Sequence, residues 1–207
     1  MGRPREHDEH TRKALRAAAE RLFDEHGAQG VSVRVLADAV GTTTRAVYSL
    51  FGSRDGLLVD AMGVRAYEFL MQRMHEQELT DDPAADLVEM GVIAFRRMVV
   101  EHPTLFRIGF QRVLPEFQPG PELLAARGDG LRLLTQRVGR LDETGLLGDV
   151  PLSDAVVAFQ STCEGLGNPE LRGAIMRMLP AGREEEAWRA ALRNVVGGLT
   201  RSGTAAM

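Results

Sequence analysis

The chain has 207 residues, 44% of them hydrophobic and 26% charged, the size and make-up of one or two ordinary globular domains, which excludes a disordered tail or a low-complexity chain. Aromatic residues are only 5% and Cys163 is the sole cysteine, so Leu, Val, Ala and nine Met must build the core, and an intramolecular disulfide framework or multi-cysteine metal centre is excluded. A net charge of −4 argues against a protein that coats nucleic acid by bulk attraction.

The charge is unevenly spread. Residues 1–54 carry nine basic and seven acidic side chains, a net +2, and the remainder carries −6. Lys13 is the only lysine. The first ten residues have no apolar stretch behind their basic residues, and apolar runs elsewhere are short and broken by charges. No secretory leader or bilayer-crossing segment is expected, and the chain reads as soluble and cytoplasmic.

Taken in chain order, the hydrophobic period is helical throughout, which predicts an all-α fold. A first helix is expected from His10 to His26, with Leu15, Ala18, Leu22 and Phe23 as its apolar stripe and Gly27 as its stop. Ser32 caps a short helix, Val33 to Val40, which Gly41 ends. Thr42 or Thr43 caps a third, Thr44 to Phe51, and Ser53 starts a long fourth helix running to about Gln77. Further helices are predicted over Ala84–Glu101, Thr104–Gln111, Glu122–Thr144, Ser153–Leu166 and Glu184–Thr200. Gly167-Asn168-Pro169 is read as a break.

Two short helices joined by a glycine-containing turn are a helix-turn-helix, here with a preceding helix packed across them. The expected core of this head is Leu15, Leu22, Phe23, Val31, Leu36, Ala37, Val40, Val47 and Phe51. With Val47 and Phe51 inward, Arg45, Tyr48 and Ser49 lie on the outer face of the third helix and Thr43 and Thr44 at its start. A recognition helix needs that layout, because its first turns must reach base edges while its inner face holds it. Arg45 can donate two hydrogen bonds to guanine or one to phosphate. Thr42, Thr43, Thr44, Tyr48 and Ser49 suit phosphate or short polar contacts, and Ser32, Arg34 and Arg54 flank the groove at helix starts. Capping alone explains Ser32, Thr43 and Ser53. It leaves unexplained why Thr42 to Ser49 holds three threonines, an arginine and a tyrosine but no acid.

Ala18 to Asp60 resembles the DNA-binding half of the TetR/AcrR family of bacterial transcriptional regulators. The likeness is carried by Arg21-Leu22-Phe23, Gly27, Val31-Ser32-Val33, Leu36-Ala37, Gly41-Thr42-Thr43, Val47 to Phe51 and Ser53 to Leu58. Leu50 stands where relatives often carry a phosphate-holding histidine, and Thr44 where they often carry lysine, so the face is less basic than usual. Arg3 and Arg5, in the start Gly2-Arg3-Pro4-Arg5, are in reach of an adjacent minor groove. A plain solvated start is the alternative.

The resemblance implies two domains, a helix-turn-helix head over residues 1–53 and a helical ligand-binding and dimerisation domain over 54–207. It implies a homodimer on a pseudo-palindromic operator of double-stranded DNA, released by a small apolar or amphipathic effector, with no cofactor and no membrane. Ala155 and Phe159 on one helix, and Trp188, Leu192, Val195, Val196 and Leu199 on the last, are candidates for the dimer interface, or else they close the chain's own core. Tyr67, Met71, Phe95, Met98, Phe106, Phe110 and Phe117 are candidates to line an effector cavity, with Gln111 and Arg112 as polar guides. A repressor is the leading reading and an activator using the same motif the alternative.

An all-helical enzyme finds little support. Cys163 lacks a cue for a histidine-activated thiolate. His7, His10, His26, His75 and His102 show no metal-ligand spacing, and Gly165-x-Gly167 has no preceding strand to make a dinucleotide fingerprint.

Overall fold

The computed structural model describes residues 3–111, 113–173 and 176–200, with side chains left aside at residues 3–7, 28 and 176. Among the described residues every regular element is a helix and none is long and apolar enough to cross a membrane.

In chain order the α-helices are α1 (Arg3–Gly30), α2 (Val33–Val40), α3 (Thr44–Phe51), α4 (Arg54–Glu76), α5 (Pro83–Met90), α6 (Arg97–Glu101), α7 (Pro103–Phe110), α8 (Pro121–Glu143), α9 (Leu152–Arg172) and α10 (Glu184–Leu199). A π-helical segment, Gly91–Arg96, joins α5 to α6, and a 3₁₀ turn, Met176–Met178, precedes α10. The expected elements recur at nearly the expected places, with two exceptions.

Helix α1 begins at Arg3, seven residues before the expected start, so the N-terminal arm is helical. Pro4 is no obstacle there, because a first-turn proline lacks only an N–H that would be unbonded anyway. The regular helix still stops at Gly27, whose φ of 67° lies outside the helical region. Helix α9 runs through the expected break at Gly167-Asn168-Pro169 and ends at Gly173, which caps it from the left-handed region. Gly167 is small for packing, since a Cβ there would collide with the Phe106 ring. The Asn168 side chain donates to the Glu164 carbonyl at 3.0 Å beside the gap that Pro169 leaves in the ladder.

The chain forms two compact units. The first comprises Met1–Ala66 with Arg107–Ala126, the second Tyr67–Phe106 with Arg127–Met207. Residues 54–66 and 107–126 thus pack with the head. The first unit's core holds Leu15, Ala18, Ala19, Leu22, Val31, Leu36, Ala37, Val47, Leu57 and Met62. Phe23, Val40 and Phe51, expected in that core, are only half-buried. The second unit is built on Met74, Leu87, Met90, Phe95, Met98, Phe106, Val138, Phe159, Cys163, Trp188 and Leu192, with the Phe95 and Phe159 rings edge to face at 6.4 Å. Burial pushes the Cys163 thiol well up, which suits a small core residue rather than a nucleophile.

Candidate DNA-binding face

Each end of the helix-turn-helix is fixed by a local signal in the sequence. Ser32 Oγ accepts the Val35 N–H at 3.2 Å and starts α2. Gly41 ends it at φ 69°, a conformation that a side chain would resist, and the Thr42 N–H then bonds the Ala37 carbonyl at 2.9 Å. Thr43 Oγ1 accepts the Ala46 N–H at 3.2 Å and starts α3. Such caps contribute about 1 kcal/mol each. Fully buried Val47 pins the inner side of α3, while α4 starts hard against its end, where a Cβ on Gly56 would collide with the Phe51 carbonyl.

The outer side of α3 is the face the sequence predicted. Thr43, Thr44, Arg45, Tyr48 and Ser49 are all exposed, Tyr48 to 54%. Arg45 has no ion pair or hydrogen bond within the described residues, so its donors are free for an outside acceptor. Thr42 is half-buried in the turn. Arg34 is exposed and held only loosely by Asp38, 4.0 Å away one turn along α2. Ser32 contributes its cap. The side chains of Arg3 and Arg5 lie outside the described residues.

Arg54 stands at the start of α4, as expected. It donates to the Val31 carbonyl and to Asp55 Oδ1, the latter at 2.8 Å, tying the start of α4 to the start of α2. One third of its side chain stays exposed beside those bonds. Leu50 is half-buried, and its carbonyl accepts from Arg12 of α1. The Arg12 guanidinium also lies 4.5 Å above the Phe51 ring, which explains why Phe51 is not sealed in apolar side chains. Spacing flagged neither Arg12 nor Asp60; the signal for Asp60 is that it is the one acid within Leu57-Leu58-Val59-Asp60-Ala61-Met62.

Residues 15–61 match the family described as bacterial regulatory proteins, tetR family. The chain carries a TetR-family head. Over 160 residues it is 28% identical to the HTH-type transcriptional regulator Rv1816 of Mycobacterium tuberculosis, an alignment that covers 75% of this chain and 66% of that protein, just under two thirds of its length. Among solved structures, the TetR family transcriptional regulator PfmR of Thermus thermophilus is 25% identical, with a TM-score of 0.51 over 91% of this chain and 99% of that one. A protein with unknown function from Rhodococcus sp. RHA1 shares the fold, with a TM-score of 0.64 at 21% identity over 92% and 96% of the two chains. The family is one of regulators, not of enzymes.

In the second unit, the candidate dimer residues take the second of the two placements that the sequence left open. Ala155, Phe159, Trp188 and Leu192 are fully buried inside the single chain, and Val196 and Leu199 nearly so, with Val195 half-buried. All but Val195 serve the second unit's own core. Gly91 allows this, since a Cβ there would collide with the Leu192 side chain. The sides of α9 and α10 left exposed carry Val157 (63% exposed), Ser161 and Gly165, and Ala190, Asn194 and Gly198.

The effector candidates also divide. In the second unit Phe95, Met98 and Phe106 are fully buried in packed core, and Tyr67 and Met71 are half-buried. Burial pushes the Tyr67 phenol up, with Arg127 acting against it. Phe110, Gln111 and Phe117 pack in the first unit, and Arg112 lies outside the described residues. A cavity of about 690 Å³ in the second unit is lined instead by Gln77, Thr80, Val88, Arg189, Val196 and Gly197, among others. Phe117 does line a cavity, in the first unit.

Proposed function

We propose that this TetR-family protein is a ligand-responsive transcriptional repressor of the cytoplasm, binding a pseudo-palindromic operator as a homodimer and released by a small apolar or amphipathic effector. The carrying observation is the outer face of α3, acid-free from Thr42 to Ser49, with Arg45 exposed and unpaired within the described residues. In the major groove Arg45 reads a base edge, and Thr43, Thr44, Tyr48 and Ser49 hold backbone and neighbouring edges. Arg34 and the N-terminal ends of α2 and α3 meet phosphates with partial positive charge, and Arg3 and Arg5 reach the adjacent minor groove.

The dimer forms through the exposed side of α9 and α10, where Val157, Ser161, Gly165, Ala190, Asn194 and Gly198 let backbones approach closely. Two heads then meet successive major grooves about 34–36 Å apart. The effector enters the second unit, whose methionines, Met71, Met74, Met90 and Met98, repack around it. Because it favours a head spacing that no longer fits, DNA and effector weaken each other's binding by the same factor.

Selection of bound sequences from a random duplex pool tests this. An enriched inverted repeat supports the reading. Folded protein that enriches no motif, with or without prior unfolding and refolding to strip bound ligand, overturns it.

A further inference from the structure

The first unit holds a cavity of about 650 Å³ that the operator-binding reading does not use. Its floor is the end of the recognition helix and the start of the next, Leu50, Phe51, Gly52, Ser53 and Gly56, and its roof is the proline-rich loop from Leu114 to Pro121. Leu50, Phe51, Leu114 and Phe117 make the walls apolar, and Arg12 brings a cation into them.

We propose that this cavity is a binding site for a small organic monocarboxylate with an aromatic or branched apolar body, held by Arg12. The guanidinium is largely buried, with 18% of its side chain exposed. Of its five N–H groups, one finds an acceptor within the described residues, the Leu50 carbonyl. Its nearest carboxylate oxygen, Asp60 Oδ2, is 4.0 Å away, beyond hydrogen-bond reach. Arg12 thus presents unsatisfied donors beside an apolar chamber, the combination that captures a carboxylate through charge-assisted hydrogen bonds.

Two features keep the chamber in shape. The buried Asp60 Oδ1 accepts the Gly120 N–H at 2.7 Å and holds the roof down. Gly120 must be glycine for that approach, since a Cβ would stand 2.6 Å from Arg12 Nη1 and 2.9 Å from Asp60 Oδ1. Among the described residues Arg12 is the one cation on the lining and Glu116 an acid there, so a second negative charge on the ligand would meet repulsion with no cation to offset it. Leu50 and Phe51 of the last turn of α3 line the same cavity, so occupancy is felt there.

The test is a titration of isotope-labelled full-length protein with 2-naphthoate, followed by amide chemical shifts and containing no DNA, so its result stands apart from the operator reading. Saturable shifts are expected at Gly52, Gly56 and Gly120, with affinity lower by about tenfold or more for the neutral 2-naphthalenemethanol. Arg12→Met should cause a similar loss. Leu114→Glu, which puts a like charge on a half-buried wall, should abolish the shifts while leaving the spectrum folded. Absence of saturable shifts, shifts confined to the second unit, or equal binding of the neutral analogue overturns the proposal.

Discussion

Replacing Gly120 by alanine adds one methyl group, and the structure dictates that it destabilises the head. The new Cβ would lie 2.6 Å from Arg12 Nη1 and 2.9 Å from Asp60 Oδ1, closer than non-bonded atoms approach; the Arg12 guanidinium can swing aside, but the Asp60 carboxyl is buried, so the loop lifts away from it. Lifting stretches the 2.7 Å bond from the Gly120 N–H to Asp60, whose side chain is 1% exposed. A buried carboxylate that loses a donor costs about 1.5–3 kcal/mol. Burial already holds the Asp60 carboxyl above its ordinary range, with the Gly120 N–H and Arg12 working against that rise. A group whose folded pKa is raised disfavours folding only when ionised. The penalty is absent below the unfolded value and complete above the folded one, so the loss in Gly120→Ala should grow from mildly acid to neutral pH. Urea unfolding followed by circular dichroism, at matched pH values, measures it. Gly128→Ala is the companion, a position inside α8 where the nearest atom is the mobile Arg132 guanidinium at 3.4 Å. There the same substitution should stabilise by roughly 0.5–1 kcal/mol. If Gly120→Ala matches the parent or follows Gly128→Ala, the assignment of Gly120 and Asp60 as a latch is refuted.

Arg45→Ala should weaken operator binding by about 1–3 kcal/mol, read by fluorescence anisotropy, with helix content unchanged. Thr43→Ala removes the α3 cap and should lower unfolding stability by about 1 kcal/mol, visible as a lower urea midpoint. Phe159→Ala should cost about 3–5 kcal/mol because the side chain is fully buried, whereas Val157→Arg should keep helix content unchanged and yield monomers in sedimentation. For Asp86, burial raises the carboxyl, but hydrogen bonds from Arg140 and from the Thr80 N–H and hydroxyl outweigh it and hold it below its ordinary value. Its ionised form therefore favours folding, fully above that value, and the contribution is lost as pH falls through the folded pKa. Asp86→Asn should flatten the acid limb of a melting-temperature profile.

The head is legible because its signals are local. A Ser, a Gly, a Thr and a second Gly mark both short helices, and Val47 against Arg45, Tyr48 and Ser49 separates an inner from an outer face without knowledge of the rest of the chain. The bond from Arg54 to the Val31 carbonyl is not legible, because it forms only once α4 is docked. The apolar stripes of α9 and α10 are visible as stripes. Whether such a stripe faces its own chain or another depends on which side of α10 meets the π-helical segment, and that is decided by Gly91 against Leu192, a contact 101 residues apart in sequence. Cavities are the least legible, because both described ones are lined mainly by loop residues and helix ends, where periodicity is silent. Pro169 misleads for a simpler reason: a proline near a helix end reads as a stop, and the glycine that does stop the helix follows four residues later.

The π-helical segment Gly91–Arg96 has a bearing on how this chain is compared with its relatives. Its hydrogen bonds reach one residue further than those of α5 and α6, so it stores a single surplus residue inside an otherwise continuous rod from Pro83 to Glu101. In an ordinary helix one extra residue turns everything beyond it by about 100°. Here the surplus is absorbed within one turn, and both flanks keep their apolar sides toward the core. A relative with one residue fewer in this stretch would keep the same flanks on an unbroken helix. A one-residue gap in an alignment at this point therefore marks a change in one turn's bonding and leaves the lineage of the surrounding helix intact.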